Sequence, residues 1–395
     1  MPPDDSASVA LLTPSTPLDA YRHDVRELAP DPQSSATLGL WLAVVVMLRR
    51  YSECESSERS QVGVELLRAL GETNPTLIGT AVRALAESAE EAGALHLAFE
   101  MLLINEEIHA NDVLERGRSL SQRARIARKA SNWEISETLY GQVESLGKVG
   151  RLPELRARAY LGYAVVAHVR GAYPDARKWY ARACRIADAN GIAEVSSLAH
   201  HGLMIAAGIA GQLENALVEG WAAFRFAADP NREAEMLTCV GHVLLEGGHA
   251  DAALAAFGAA VQRGSLPRLT LPAWGGLAIA ASRVHQVRLV DRAATEIAGI
   301  AQRQNLPYPT VSALFDLAVA YDAAGRPTAA EGYRQHVLQN AKRHGFHEFV
   351  YRAESLGDAM AAAAARAPHP FTSVGLDVLA ELELLGGREA LAGRP

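Results

Sequence analysis

The stretch VGHVLLEGGHADAALAAFGAA, residues 240–260, decides the fold. It carries a large–small pair at Val240-Gly241, then Leu244, Gly248, Ala253, Phe257 and Ala260. Two helices joined by a tight turn account for every mark. The small residue of the pair lets the first helix approach the second, and Ala253 lets the second nestle back. Gly248 ends the first helix in a left-handed cap. Phe257 fills the space toward whatever packs next. A small residue in the place of Ala253 recurs along the chain: Ala98, Ser136, Ala176, Ala216, Ala253, Ala293 and Ala330, at gaps of 38, 40, 40, 37, 40 and 37 residues. A period of that length marks a solenoid, because one helix pair cannot bury its apolar face alone.

The copies differ in quality. Leu317-Ala318, Tyr321, Gly325 and Ala330 make a good one, with Pro327 at a permitted first-turn position of the second helix. Tyr163-Ala164, Gly171, Ala176, Tyr180 and Ala183 make another. Asn132-Trp133, Ser136, Tyr140 and Val143 read as the same phrase with Asn in the glycine place. Gly93, Ala98 and Leu102 are weaker, and the Gly211, Ala216, Ala223 copy has Gly220 where the aromatic belongs. The Ala293 copy is poorest, with Arg288 in the glycine place and Ile297 in the aromatic one.

These residues resemble the tetratricopeptide repeat (TPR) superfamily, over roughly residues 76–340. The period exceeds the family's usual one. Either the helices are about a turn longer, or inter-unit loops such as 188–192 and 303–309 are extended. Longer units are similar to the repeat arms of bacterial signal-transduction regulators. The expected fold is all-α, a right-handed TPR-like α-solenoid of about seven to nine helix pairs. Residues 1–33 are expected to be a mobile segment, 34–75 a degenerate helix pair, 76–345 the array, 346–386 capping helices and 387–395 a mobile tail. Proline at 368 and 370 breaks the stack before a closing helix over 371–385.

Bulk numbers narrow the function. Half the 395 residues are hydrophobic and only 6% aromatic, which suits close-packed helices rather than sheets. Net charge is −7, but it is unevenly spread. Residues 1–114 carry 7 Lys/Arg against 18 Asp/Glu, 115–190 carry 15 against 7, and 191–395 carry 16 against 20. A basic belt therefore lies between acidic stretches. Cys54, Cys184 and Cys239 are too scattered for a disulfide framework. The beginning of the chain shows no basic-then-apolar leader, and its most apolar run, 38–48, is too short to span a bilayer. A cytoplasmic protein with no membrane attachment is expected.

No catalytic motif is present. GxxxxGK[ST], GxGxxG after a strand, GxSxG and HExxH are all missing. His200-His201 and His242 fall on different helices without ligand spacing, so no metal or cofactor is expected. An enzyme would have to draw on His168, His201, His242 and Glu246. Direct nucleic-acid binding is disfavoured too. Residues 121–147 look superficially like a helix-turn-helix, but Trp133, Ser136 and Tyr140 sit on repeat marks, and the acidic first third repels phosphate.

In a TPR array the first (A) helix of each pair lines the concave face. That resemblance implies a partner site at Arg118, Arg125, Arg128, Lys129 and Arg158, followed by His168, His201, His242 and His285. A guanidinium fork suits carboxylates. The expected partner is a protein or peptide, including an acidic segment, held by a non-catalytic adaptor. The competing expectation is a regulatory sensor that responds to a peptide or metabolite. The Lys/Asn/Lys/Arg clamp of some family members is broken here, with Ser121 and Arg125 in the first two places. The alternative fate of the cations is pairing with acids of the preceding unit, such as Glu106, Glu107 and Asp112. Oligomeric state is not set by the sequence.

Overall fold

The computed structural model describes residues 75–91, 93, 95–355 and 368–392. The segment 1–33 and the pair expected over 34–75 lie outside the described residues, apart from residue 75. Sixteen helices and no strand are present among the described residues. In chain order they are α1 (Pro75–Glu91), α2 (Leu95–Ile108), α3 (Val113–Lys129), α4 (Trp133–Val149), α5 (Pro153–Val169), α6 (Tyr173–Ala189), α7 (Ala193–Ile209) and α8 (Leu213–Arg225). Then come α9 (Pro230–Glu246), α10 (Ala250–Arg263), α11 (Pro267–Arg283), α12 (Val287–Arg303), α13 (Pro307–Ala323), α14 (Pro327–His344), α15 (His347–Glu354) and α16 (Ser373–Ala392). The fold is an all-α solenoid. Helices α1–α14 make seven pairs, and α15 begins an eighth.

The long period has a simple origin. Helices α3 to α7 are 17 residues each, joined by three-residue turns, so a full repeat is 40. The loops at 188–192 and 303–309 are short as well, since α6 ends at Ala189 and α12 at Arg303, three residues before their successors. The extra length is all in the helices.

The turns after α3 to α7, α9, α11, α13 and α14 close in the same way. After α5, the Gly171 N–H donates to His168 O and the Ala172 N–H to Ala167 O, which satisfies two of the last carbonyls around a left-handed Gly171. The same pair of bonds follows α3, with Ser131 at φ 59° in the left-handed place, and α11, with His285 at φ 59°. Two expectations are corrected here. In the α3–α4 turn the glycine place is held by Ser131, and Asn132 instead caps α4 through Ile135 N. In the α11–α12 turn it is held by His285, five residues before the fully buried Val290. Val290, not Ala293, is therefore the knuckle of that repeat.

The chain divides into two compact units, 1–195 and 196–395, with the division inside α7. In unit 1, consecutive helices α1 to α6 pack, and A helices also touch the next A helix, α1 on α3 and α3 on α5. In unit 2, α8 to α15 pack consecutively, and α9, α11, α13 and α15 touch in series. The marker residues sit where close packing demands them. Ala98, Ala176, Ala216 and Ala253 are fully buried, and the Ser136 hydroxyl, also buried, donates to Ala124 O of its A helix. Phe257 is fully buried against Gly241 of its own pair and Gly276 of the next, where an added Cβ would lie within 2.7 and 2.3 Å of the ring. Removing such a ring from water contributes about 2–3 kcal/mol, and the glycines are what allow it.

The end of the chain departs from simple capping. Helix α15 continues the stack on α13 and α14. Helix α16 does not cover it. It packs on α8 and α10, the second (B) helices of two earlier pairs. It also runs to Ala392, through residues expected to be a loose tail from 387.

Candidate functional site: a charged ladder on the A helices of unit 1

Four of the expected cations share one face of unit 1, and each meets a carboxylate from a neighbouring A helix. Arg118 (α3) grips Glu154 (α5) with two parallel bonds, Nε–Oε1 2.7 Å and Nη2–Oε2 2.8 Å. Arg158 (α5) bonds Glu154 at 3.0 Å and reaches Glu194 (α7) at 2.7 Å. Arg125 (α3) donates to Glu90 (α1) at 2.7 and 3.1 Å and to Glu87 at 3.4 Å. Lys129 Nζ lies 2.7 Å from the same Glu90. Arg83 of α1 closes the series on Glu115, which Arg118 also approaches at 3.6 Å. Arg83, Glu115, Arg118, Glu154, Arg158 and Glu194 thus alternate in sign across four A helices.

The electrostatics follow from this packing. Burial opposes the charge of Glu154, but the Arg118 hydrogen bond and the Arg158 charge outweigh it and hold its pKa below the usual value. Glu194 is lowered in the same way by Arg158. Burial works against Arg125 and Arg158 too, and their glutamates more than compensate, raising both pKa values. Of the expected acid partners of the preceding unit, Glu106 meets Arg123 at 2.6 Å.

The remaining expected residues do not join this ladder. Arg128 turns toward the buried Tyr140 hydroxyl, and its Nε is buried without a hydrogen-bond partner. Burial raises the Tyr140 pKa, and Arg128 opposes that. His168 meets Tyr173 and Tyr180 edge-on at 5.4 and 6.3 Å, and burial lowers its pKa. In unit 2, the His201 Nε2 lies 3.6 Å from Cys239 Sγ. Desolvation pushes that thiol up to about 12, so it is not a thiolate nucleophile near neutrality. His242 sits edge-on to Phe257 at 5.1 Å, and crowding by protein lowers its pKa. His285 is exposed in the turn after α11, outside the A helix itself.

Two features went unread in the sequence. A cleft of about 440 Å³ opens between α4, α5 and α6, lined by Glu137, Glu144, Tyr163, Arg170 and Trp179. Glu144 accepts from the Tyr160 and Tyr163 hydroxyls, and both rings lie within 5.4 Å of Trp179. The second is Asp316 of α13, wedged against Gly275 of α11, where an added Cβ would come within 2.4 Å of its Oδ2. Desolvation raises its pKa to about 7, against the charge of Arg352. No group of three or more His, Cys, Asp or Glu suited to a metal ion occurs among the described residues. No described helix is long and apolar enough to cross a membrane.

No protein-family model matches the chain, and no curated protein matches it. Its fold is similar to that of a solved structure from Pyrococcus horikoshii. That structure is a Signal Transduction ATPase with Numerous Domains (STAND) protein with a tetratricopeptide repeat sensor, at 15% identity and a TM-score of 0.50. The match covers 88% of this chain and 55% of the P. horikoshii chain, so this chain spans about half the length of that protein. A weaker similarity, TM-score 0.41 at 18% identity, is to BtubC (BKLC) from P. vanneervenii, covering 74% of this chain and 96% of that one.

Proposed function

We propose that the chain is a non-catalytic TPR-type interaction module that holds a protein or peptide segment along the A-helix face of unit 1, using carboxylates of that segment. The observation that carries this reading is the ladder itself. Its guanidinium groups are held in place by inner glutamates, while its outer acids face solvent. The Glu90 side chain is 1% exposed and Glu154 20%, whereas Glu87 and Glu194 are each 57% exposed. A partner carboxylate that replaces Glu87 on Arg125, or Glu194 on Arg158, exchanges one exposed ion pair for another. That exchange costs little, because exposed pairs contribute under about 1 kcal/mol each. Binding then gains from the peptide's remaining contacts with the preorganised forks.

Crosslinking the full chain in lysate, followed by mass spectrometry, identifies the segment. The paired variants then test the mechanism. E87Q/E194Q removes the outer acids while Glu90 and Glu154 still hold the forks, and is expected to tighten binding of that segment about threefold or more, while R125Q/R158Q weakens it about tenfold. Equal binding by both variants overturns the reading.

A second reading rests on the similarity to the P. horikoshii protein, which carries a tetratricopeptide repeat sensor. Here the bound segment would change the curvature of the stack and so regulate an effector. Scattering of the full chain with and without the crosslinked segment tests it, and an unchanged radius of gyration rejects it.

A further inference from the structure

Unit 2 holds a contact between elements far apart in sequence, away from the A helices. The two B helices α8 and α10 form a seat that is filled by residues 368–385. At one end, Glu214 of α8 accepts hydrogen bonds from Thr372 N at 2.9 Å, from the Thr372 hydroxyl and from Gly375 N at 3.2 Å. That carboxylate caps the exposed N–H groups at the start of α16. Beside it, His249 Nε2 donates to His369 O at 2.8 Å, and its ring stacks on Phe371 at 4.5 Å and 18°. The His369 N–H donates to Gly247 O at 2.8 Å. Further along, Trp221 Nε1 donates to Glu381 Oε2 at 2.6 Å. Between these polar points Val378 and Leu382 join the apolar core of unit 2.

The occupant is held by one narrow stripe. From 371 to 385 only Gly375, Val378 and Leu382 are buried, with Phe371, Leu379 and Leu385 partly so. Val374, Leu376 and Leu384 are 53, 55 and 65% exposed. A stack helix such as α9 or α11 buries eight or more residues by comparison. The seat's polar contacts are to generic groups: the backbone of one residue before the helix, a capping Thr, first-turn N–H groups and one carboxylate, with a glycine at 375, where an added Cβ would lie 3.0 Å from Glu214 Oε1.

We infer that the α8–α10 seat is a helix-recognition site, that α16 is its displaceable occupant in cis, and that a partner protein's amphipathic helix takes the same place. The partner helix carries an aromatic before its first turn, aliphatic residues at the places of Val378, Leu382 and Leu385, and an acid facing Trp221. The site is independent of the charged ladder, since none of its residues belongs to unit 1.

The test uses the full chain and a fluorescein-labelled peptide of residues 368–392, read by anisotropy. V378D/L382D ejects the cis helix and is expected to bind the peptide at least tenfold more tightly than the wild-type chain does. Adding E214A/W221A to that variant is expected to abolish the gain. E381A, which removes only the indole contact, keeps the apolar stripe and is expected to give an intermediate gain of about threefold, so the test survives if the double variant fails to fold. Equal affinity for wild type, E381A and a folded V378D/L382D overturns the inference. So does a wild-type dimer that V378D/L382D disperses, which would make the seat a strap between copies of this chain.

Discussion

At the scale of single residues, the turns between helices show how far local pattern goes. A left-handed residue closes most of these turns, and glycine supplies it at 93, 171, 191, 211, 248, 325 and 345. Ser131, Arg151 and His285 supply it without glycine's freedom, at φ 59, 52 and 59°. An L-residue there costs about 1–2 kcal/mol, partly offset by the unfolded-state entropy that glycine would add. S131G and H285G are therefore each expected to stabilise the chain by about 0.5–1 kcal/mol in denaturant melts, and G171A to destabilise it by a similar amount. The same turns mislead a reading by pattern. With no glycine to mark the α11–α12 turn, the Arg-Ala-Ala run at 292–294 drew the small-residue mark three places past Val290. A buried Val does the packing there, and no alanine pattern reports it. The ladder cations are a different case. Repeat offsets placed Arg118, Arg125, Lys129 and Arg158 on one face, yet their partners on neighbouring helices lie 35 to 39 residues away. The signal was available, because Glu154 and Glu194 each follow their arginine by 36 residues, nearly one repeat.

At the scale of elements, the contact between neighbouring A helices is the seam on which this protein places its polar groups. In unit 1 the seam is ionic and satisfied. In unit 2, between α11 and α13, it holds Asp316 pressed against Gly275, with a pKa raised to about 7. A carboxyl whose folded pKa lies above its unfolded value, near 3.8, contributes no penalty while protonated in both states. The penalty grows as pH rises from about 4 and is complete above about 7. D316N should then leave stability unchanged at pH 3.5 and raise it at pH 8, by on the order of 1–2 kcal/mol. Thermal melts of both proteins at the two pH values measure it, and an equal shift at both would mean that packing rather than charge is at work. Helical periodicity revealed α13 and its buried face, but not this group. An aspartate on an A helix reads as a surface residue until the glycine opposite it is seen to admit it.

At the scale of the whole molecule, a solenoid should respond to damage locally, since each helix is stabilised by its neighbours in sequence. Helix α16 is the exception, because its partners Glu214 and Trp221 lie about 160 residues back. No periodic reading could find that contact, which breaks the period. It also separates two kinds of cooperativity. If the repeats behave as a chain of nearest-neighbour contacts, ejecting α16 by V378D/L382D removes stability from the helices it touches and from little else. Amide exchange in α8 and α10 should then accelerate about tenfold, equivalent to ~1.4 kcal/mol, while α1 to α6 and α12 to α15 keep their wild-type rates. Acceleration by one common factor throughout unit 2 would instead make that unit a single folding body, with α16 as the strap that completes it. The two outcomes assign different roles to the same helix. A local response leaves a stable seat for a partner's helix to enter, whereas a global one means that displacement costs unit 2 its fold.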